Sequence, residues 1–336
     1  MRRALIVLDG LGDRPNPETG GKTPLEAAET PNLDALAALG RVGNVVLIAP
    51  GIAPESDAGV LALFGLDPRT ESPGRGVLEA LGTGVDLGPG DVAWRLNFAT
   101  AGGDGIIVDA RVGRSLTTGE AAALARSLTQ ADLLRAESVR AEVRPTVGHR
   151  GVLWMHPLDG RKLSPELSNS DPFYEKVGGT GQARAVAEPR LQPVRALDGS
   201  PESARTAELL ELFLSRASQL LAGHTTNARR ALSGKLVANT LLVRSAGSLP
   251  EIPARSFKER TGLDAAAVTE MPVERGIARW LGMADRFVGP MGADREGALA
   301  ERARVTADAL GNHEFVYVHL KGPDEPGHDG KALLKR

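Results

Sequence analysis

Arg3 leads into an aliphatic run, Ala4 to Leu8, that stops at Asp9-Gly10. Apolar residues without polar alternation read as a strand covered on both faces, as in α/β sheets whose crossover helices lie on both sides. Asp9 then stands at the strand's carboxyl end, where such sheets collect their ligands. Thr23-Pro24-Leu25-Glu26 carries the cap, first-turn proline and early acid of a helix start, and Leu33, Leu36 and Leu39 extend an apolar face to Gly40. Val45 to Ile48 reads as a second buried strand, and Ser56-Asp57 opens a helical stretch from Ala58 to Phe64 that Gly65 ends.

Past residue 85 the pattern changes. Strands predicted at Val92–Phe98, Ile106–Val108, Ser138–Val143 and Gly151–Met155 surround a helix at Thr118–Thr129, the mark of a smaller α+β unit. Ser200 to Ala222 is strongly helical, and Lys235–Arg244 and Phe315–Leu320 return to aliphatic strands. The economical division is a mostly parallel α/β core in two parts, 1–84 and 194–336, interrupted by an inserted α+β domain at 85–193 that acts as a lid hinged near Gly84 and Pro193.

A hydrophobic content of 42% with 24% charged residues belongs to a folding chain. The net charge of -2 provides no basic field for a nucleic acid or an anionic membrane, and 4% aromatics cannot build a base-stacking platform. No stretch approaches the roughly 20 apolar residues of a membrane helix, and the apolar run after Arg2-Arg3 is too short for a signal peptide. The partner expected is therefore a small molecule; the oligomeric state stays open. Absence of cysteine removes disulfides, thiolate metal sites and a cysteine nucleophile, fits the cytoplasm, and restricts any metal to oxygen and imidazole ligands.

Three places set reactive side chains after a strand or at a helix start: Asp9, Ser56, and Lys321-Gly-Pro-Asp324-Glu-Pro-Gly-His328. Each has a plain structural explanation, namely an Asp-Gly turn, an ordinary N-cap, and a turn with a solvated histidine. Each also has a chemical one. A hydroxyl at a helix N-terminus beside a cation can accept a phosphoryl group, a carboxylate and an imidazole four residues apart suit a divalent metal, and Lys321 is a point charge for a phosphoryl oxygen. Pro323 and Pro326 predict a rigid loop there. A dinucleotide-binding reading is weak, because no Gly-x-Gly-x-x-Gly follows the first strand and Asp9 stands where a pyrophosphate would be repelled.

LIVLDGLGDRP, GGKTPLEAAETPNLDALAALG, APGIAPESDAGVLALFGLDP, GRGVLEALGTGVDLGPGDVAWRLNFAT, GHRGVLWM, ANTLLVRSAG, FKERTGL and VHLKGPDEPGHDGK follow one another along essentially the whole chain. Together they resemble the archaeal-type cofactor-independent phosphoglycerate mutases of the alkaline phosphatase superfamily. The resemblance implies an alkaline-phosphatase-like α/β fold. It also implies a phosphotransferase that uses two divalent ions (manganese, magnesium or zinc-like), needs no 2,3-bisphosphoglycerate, and moves phosphate between the 2- and 3-positions of glycerate. Carried over by position, Ser56 is the phosphate-accepting nucleophile, Lys321 contacts the phosphate, Asp9 and Ser56 bind one ion, and Asp324 and His328 bind the other. Arg75, His149, Arg150, Lys258 and Arg260 are the corresponding candidates for substrate phosphate and carboxylate. A phosphomonoester or phosphonate-related hydrolase of the same superfamily, or a noncatalytic phosphometabolite-binding protein, are the alternatives.

The chain departs from the family pattern in three respects. Glu55 precedes the nucleophile where glycine is general, and Phe173 follows Asp171-Pro172 where histidine is usual. The Asp-His pair and later histidine that complete both metal sites are absent from these 336 residues. The expectation is two protein ligands per ion, hence weak metal binding and little turnover.

Overall fold

The computed structural model describes residues 2–52, 54–177, 180–184 and 186–336. In chain order its elements begin with β1 (Arg3–Leu8), α1 (Pro24–Ala27), α2 (Pro31–Leu39), α3 (Ser56–Leu63) and α4 (Arg75–Gly82). They continue with β2 (Val92–Ala101), β3 (Ile107–Asp109), α5 (Thr118–Gln130), β4 (Val139–Pro145), β5 (Arg150–Pro157), β6 (Tyr174–Val177), β7 (Thr180–Ala183), α6 (Pro201–Ala222), α7 (Thr225–Leu232) and β8 (Thr240–Gly247). The last are α8 (Phe257–Thr261), β9 (Ala265–Thr269), α9 (Pro272–Trp280), β10 (Ala284–Phe287), α10 (Arg295–Asn312), β11 (Phe315–Leu320), α11 (Asp324–His328) and α12 (Ala332–Lys335). Two compact units result: Met1–Phe64 with Arg255–Arg336, and Gly65–Ala254.

The first unit is α/β. Its strands run in the order β1-β11-β9-β10, all parallel, with Val7 beside His319 and Leu8 beside Leu320. Val316 and Val318 of β11 join Ala266, Val268 and Ala309 in one apolar cluster against α10. Strand alternation turns Tyr317 and His319 to the opposite face, where Tyr317 meets Phe64 edge-on with ring centroids 4.9 Å apart. The run of alanines in β9 is buried throughout and lets helices close on the sheet.

The second unit is α+β, with an antiparallel sheet in which β2 lies between β5 and β8. Trp94, Leu96 and Phe98 of β2 pack on one face with Leu124 and Leu128 of α5 and Leu210 and Phe213 of α6. Ala93 lies on the other face with Val77 and Ala80 of α4. Gly76 permits that approach, since a Cβ there would lie 2.2 Å from the Ala93 carbonyl oxygen. Alternation sets Arg95 and Asn97 on this α4 side.

The two-class architecture expected from the sequence is present, but several details differ. The divisions fall at 64/65 and 254/255 instead of 84/85 and 193/194, so Gly84 and Pro193 lie inside the second unit. The reason is pairing: β8, expected in the parallel core, zips antiparallel onto β2 with Leu96 beside Val243, and α6 fills the same core. Val45–Ile48 forms no strand, and Val45 and Val46 are exposed. Among the described residues β1 pairs only with β11, which makes it an edge strand with Ile6 exposed instead of a strand covered on both faces. The helix expected from Thr23 to Gly40 is interrupted at residues 28–30: Ala28 is extended, and Pro31 disfavours helical geometry in Thr30 before it. Residues 324–328 form a short helix instead of a loop, with Pro323 and Pro326 at its start where backbone N–H groups lack intrahelical partners.

Candidate active site

In the first unit, the parallel pairing of β1 and β11 brings the residues that follow them together. Asp9 N–H donates to the Leu320 carbonyl at 2.9 Å, so Asp9 and Lys321 emerge side by side, 312 residues apart in sequence. Lys321 Nζ donates to Asp9 Oδ2 at 2.5 Å and to Ser56 Oγ at 3.0 Å. Ser56 Oγ in turn donates to Asp9 Oδ2 at 3.3 Å. Ser56 does not cap α3: Glu55 holds the cap position, and Ser56 is the first helical residue, its hydroxyl turned to the carboxylate. Gly10 makes the turn possible, having φ +69° and a Cα facing the Lys321–Asp324 segment so closely that a Cβ would lie 2.5 Å from Asp324 Cα.

Burial by itself raises the pKa of Asp9, yet hydrogen bonds from His319 and Lys321 and the ammonium charge outweigh it and hold the carboxyl well below its usual range. The same balance acts on Lys321: burial favours the neutral amine, but Glu274, Asp9 and Asp324 raise its pKa. At neutral pH the residue is therefore an ammonium, a donor to anions and not a base. Glu270, buried on the strand end after β9, fixes its position by accepting the Lys321 backbone N–H at 2.9 Å, while the Arg302 guanidinium holds Glu270 from the other side.

Asp324 Oδ2 lies 3.6 Å from Lys321 Nζ, and His328 Nε2 lies 3.4 Å from Asp324 Oδ1 with its ring exposed. The structure thus gathers Asp9, Ser56, Lys321, Asp324 and His328 into one carboxylate, hydroxyl and imidazole set, the donor chemistry that manganese, magnesium or zinc accepts. Two residues of the same place are not legible from strand-end logic. His319 sits within β11 with Nε2 3.2 Å from Asp9 Oδ2, and Glu274 of α9 reaches within 3.6 Å of both His319 Nε2 and Lys321 Nζ. The available signals were an imidazole inside an aliphatic strand and an acid on the apolar face, beside Ile277 and Ala278, of an amphipathic helix. Lys258 lies exposed on α8; Arg260, on the same helix, donates to the Arg255 carbonyl.

Arg75, His149 and Arg150 belong to the second unit, within a field of arginines. Arg75 Nε and Arg95 Nη1 both approach Glu79 Oε1, at 2.9 and 3.5 Å, and Arg244 pairs with buried Asp171 at 3.2 Å. Beside them opens a cleft of about 500 Å³ lined by Asn97, Arg111, Arg114, Phe173, Tyr174 and Arg184, among others. Asp109 Oδ1 accepts the Arg111 and Gly113 N–H groups and shapes this loop, in which buried Val112 takes φ 53°, a left-handed conformation that costs a β-branched residue about 1–2 kcal/mol. Asn97 Oδ1 is buried without a hydrogen-bond partner at the cleft. Phe173 forms part of the wall.

Burial, then the charges of Arg150, Arg111, Arg95 and Arg114, lower the His149 pKa from 6.5 to about 3. The imidazole is neutral at physiological pH, so its candidate role is as a hydrogen-bonding group and not as a cation. Between pH 6.5 and about 3 the unfolded chain binds a proton that the folded chain refuses, so stability falls on acidification by up to about 1.4 kcal/mol per pH unit from this group. Between pH 7 and pH 5 the urea midpoint of wild type should therefore fall further than that of His149→Gln; curves that stay parallel would contradict it.

A sequence profile described as "2,3-bisphosphoglycerate-independent phosphoglycerate mutase" matches residues 37–227. The chain is 43% identical over 331 residues to the protein of that name from Aeropyrum pernix, covering 98% of this chain and 77% of that one. It is 40% identical to the protein of the same name from Ignicoccus hospitalis, covering 100% of this chain and 77% of that one. Among solved structures it resembles a protein from Pyrococcus horikoshii (TM-score 0.73, 32% identity, 99% of this chain and 74% of that one). It also resembles the cofactor-independent phosphoglycerate mutase from Thermoplasma acidophilum (TM-score 0.58, 35% identity, 100% of this chain and 82% of that one). With these likenesses running along nearly all of its length, the chain belongs to the 2,3-bisphosphoglycerate-independent phosphoglycerate mutase family.

Proposed function

We propose that this protein interconverts 2- and 3-phosphoglycerate through a phosphoserine on Ser56, without 2,3-bisphosphoglycerate. The observation that carries the reading is the Ser56 hydroxyl, half-buried at the N-terminus of α3 and hydrogen-bonded to both Asp9 and the Lys321 ammonium. A helix N-terminus and an ammonium favour phosphoryl charge around that oxygen. Ser56 Oγ forms a bond to phosphorus as the bond from phosphorus to the glycerate oxygen breaks, and the serine proton ends on the departing glycerate. Reversal onto the other glycerate hydroxyl yields the isomer. Asp9 with Ser56, and Asp324 with His328, would hold divalent ions, which when bound would supply charge stabilisation to such a transfer. Lys321 donates to the phosphoryl oxygens throughout. Asp9 orients Ser56, and Glu270 keeps Lys321 in place.

In the second unit, the arginine-lined cleft suits a phosphate or carboxylate. Arg111 and Arg114 can bind the substrate anion, with Asn97 satisfied by a substrate hydroxyl. The test supplies 3-phosphoglycerate with manganese and measures 2-phosphoglycerate and free phosphate separately. The expected product is the isomer; phosphate in excess of isomer identifies a hydrolase, and binding without either product identifies a noncatalytic binder. Arg111→Ala should raise KM about tenfold or more with a smaller change in kcat, as loss of an anion contact made in the ground state does. An unchanged KM would remove the cleft from the substrate site.

A further inference from the structure

Glu274 is 1% exposed, and neither of its carboxylate oxygens has a hydrogen-bond partner. A buried acid left so is costly unless a charge compensates it. The local charges do not balance: the carboxylates of Asp9, Glu274 and Asp324 share one ammonium, Lys321, whose Nζ is 3.6 Å from Glu274 and from Asp324. One oxygen of Asp9, one of Glu274 and a ring nitrogen of His319 lie within 4.8 Å of one another. His319 is itself buried, and its Nδ1 is held by the Tyr317 hydroxyl, which leaves Nε2 facing the two carboxylates. A ring nitrogen held from behind in this way is the usual arrangement of a ligating histidine.

We propose that Asp9, Glu274 and His319 form a divalent-cation site in the first unit, with Glu274 and His319 as ligands beyond those implied by the family resemblance. Two carboxylates and an imidazole suit manganese or zinc and match the excess negative charge of the cluster. On binding, the His319 proton resides on Nδ1, donated to the Tyr317 oxygen, and Nε2 offers its lone pair. The ion replaces the Lys321 ammonium as the principal counter-charge of Asp9 and leaves Nζ to Ser56 and Asp324. The inference stands independently of the mutase reading, because its test measures binding and not turnover.

The experiment titrates Co²⁺ into the metal-stripped chain and follows binding by calorimetry and visible absorption. Both Glu274→Gln and His319→Gln should weaken binding at this site at least tenfold, and His319→Gln should shift the absorption bands. The metal-free Glu274→Gln variant should also melt higher than the metal-free wild type, since it relieves the excess of buried carboxylate charge over the one Lys321 ammonium. A glutamate serving only as an ion-pair partner of Lys321 would give the opposite shift. Imidazole ¹⁵N NMR of the unmodified chain with Zn²⁺ provides a readout that no variant's folding affects: His319 Nε2 should shift while Nδ1 keeps its proton. Binding that ignores Glu274 and His319, a Zn²⁺ response confined to His328, or no binding at all overturns the proposal.

Discussion

Ser56→Ala should lower phosphoglycerate interconversion by at least about a thousandfold, with far-UV circular dichroism unchanged. The hydroxyl is the proposed phosphate acceptor, and removing a covalent nucleophile leaves only binding and electrostatics to act on the reaction. Alanine fits the first turn of α3 well, because Ser56 makes no cap bond that the helix needs. Mass spectrometry separates the nucleophile role from a merely structural one. After incubation with 3-phosphoglycerate and manganese followed by acid quench, wild type should carry a phosphate on the peptide containing Ser56, and Ser56→Ala should carry none. Turnover within about tenfold of wild type would remove Ser56 from the mechanism, since such a loss corresponds to only about 1.4 kcal/mol of barrier.

Gly10→Ala should destabilise the first unit by about 3 kcal/mol and disturb the Asp9 cluster at the same time. Two costs combine: a left-handed conformation unfavourable to alanine by about 1–2 kcal/mol, and a Cβ placed 2.5 Å from the Asp324 backbone, an overlap of the kind that costs about 1–3 kcal/mol. Backbone cannot swing aside as a side-chain tip can, so the Lys321–Asp324 segment must move away from Asp9. The expected signature is a lowered unfolding midpoint together with weaker metal binding. A variant as stable as wild type would show that the turn tolerates a side chain and that the close approach is not required.

The sequence disclosed the parts of the site that obey strand-end logic. Asp9 and Lys321 each follow an aliphatic run, and their meeting requires only that the two runs pair in parallel, as β1 and β11 do. Ser56 was legible as a helix start, although its hydroxyl serves Asp9 and not the helix. Glu274 and His319 were hidden because their surroundings are apolar in pattern: one lies among Val273, Ile277 and Ala278, the other at the end of Phe315–Leu320, and periodicity assigns such positions to core. The misplacement of β8 has a different cause. An aliphatic run declares burial but names neither its partner nor its direction, so Thr240–Gly247 could equally have joined the parallel sheet. Arg111 and Arg114 form part of the cleft wall only through the loop conformation at Val112, which no local pattern announces.

The discontinuity of the first unit also bears on the order in which the molecule can assemble. Its β1–β11 pairing joins residues on either side of the segment 65–254, and Asp9 waits for a lysine 312 residues later. Contacts of such separation are slow to form, and closing the intervening chain costs entropy that rises with its length. The second unit, continuous in sequence, faces no such delay and can condense while later residues are still being synthesised, turning a long floppy connection into a compact one. Until β11 arrives, Ser56 and Asp9 have neither Lys321 nor His319 beside them. Nascent chains therefore lack the Asp9–Ser56–Lys321 hydrogen-bonded cluster, which is completed only when β11 pairs with β1.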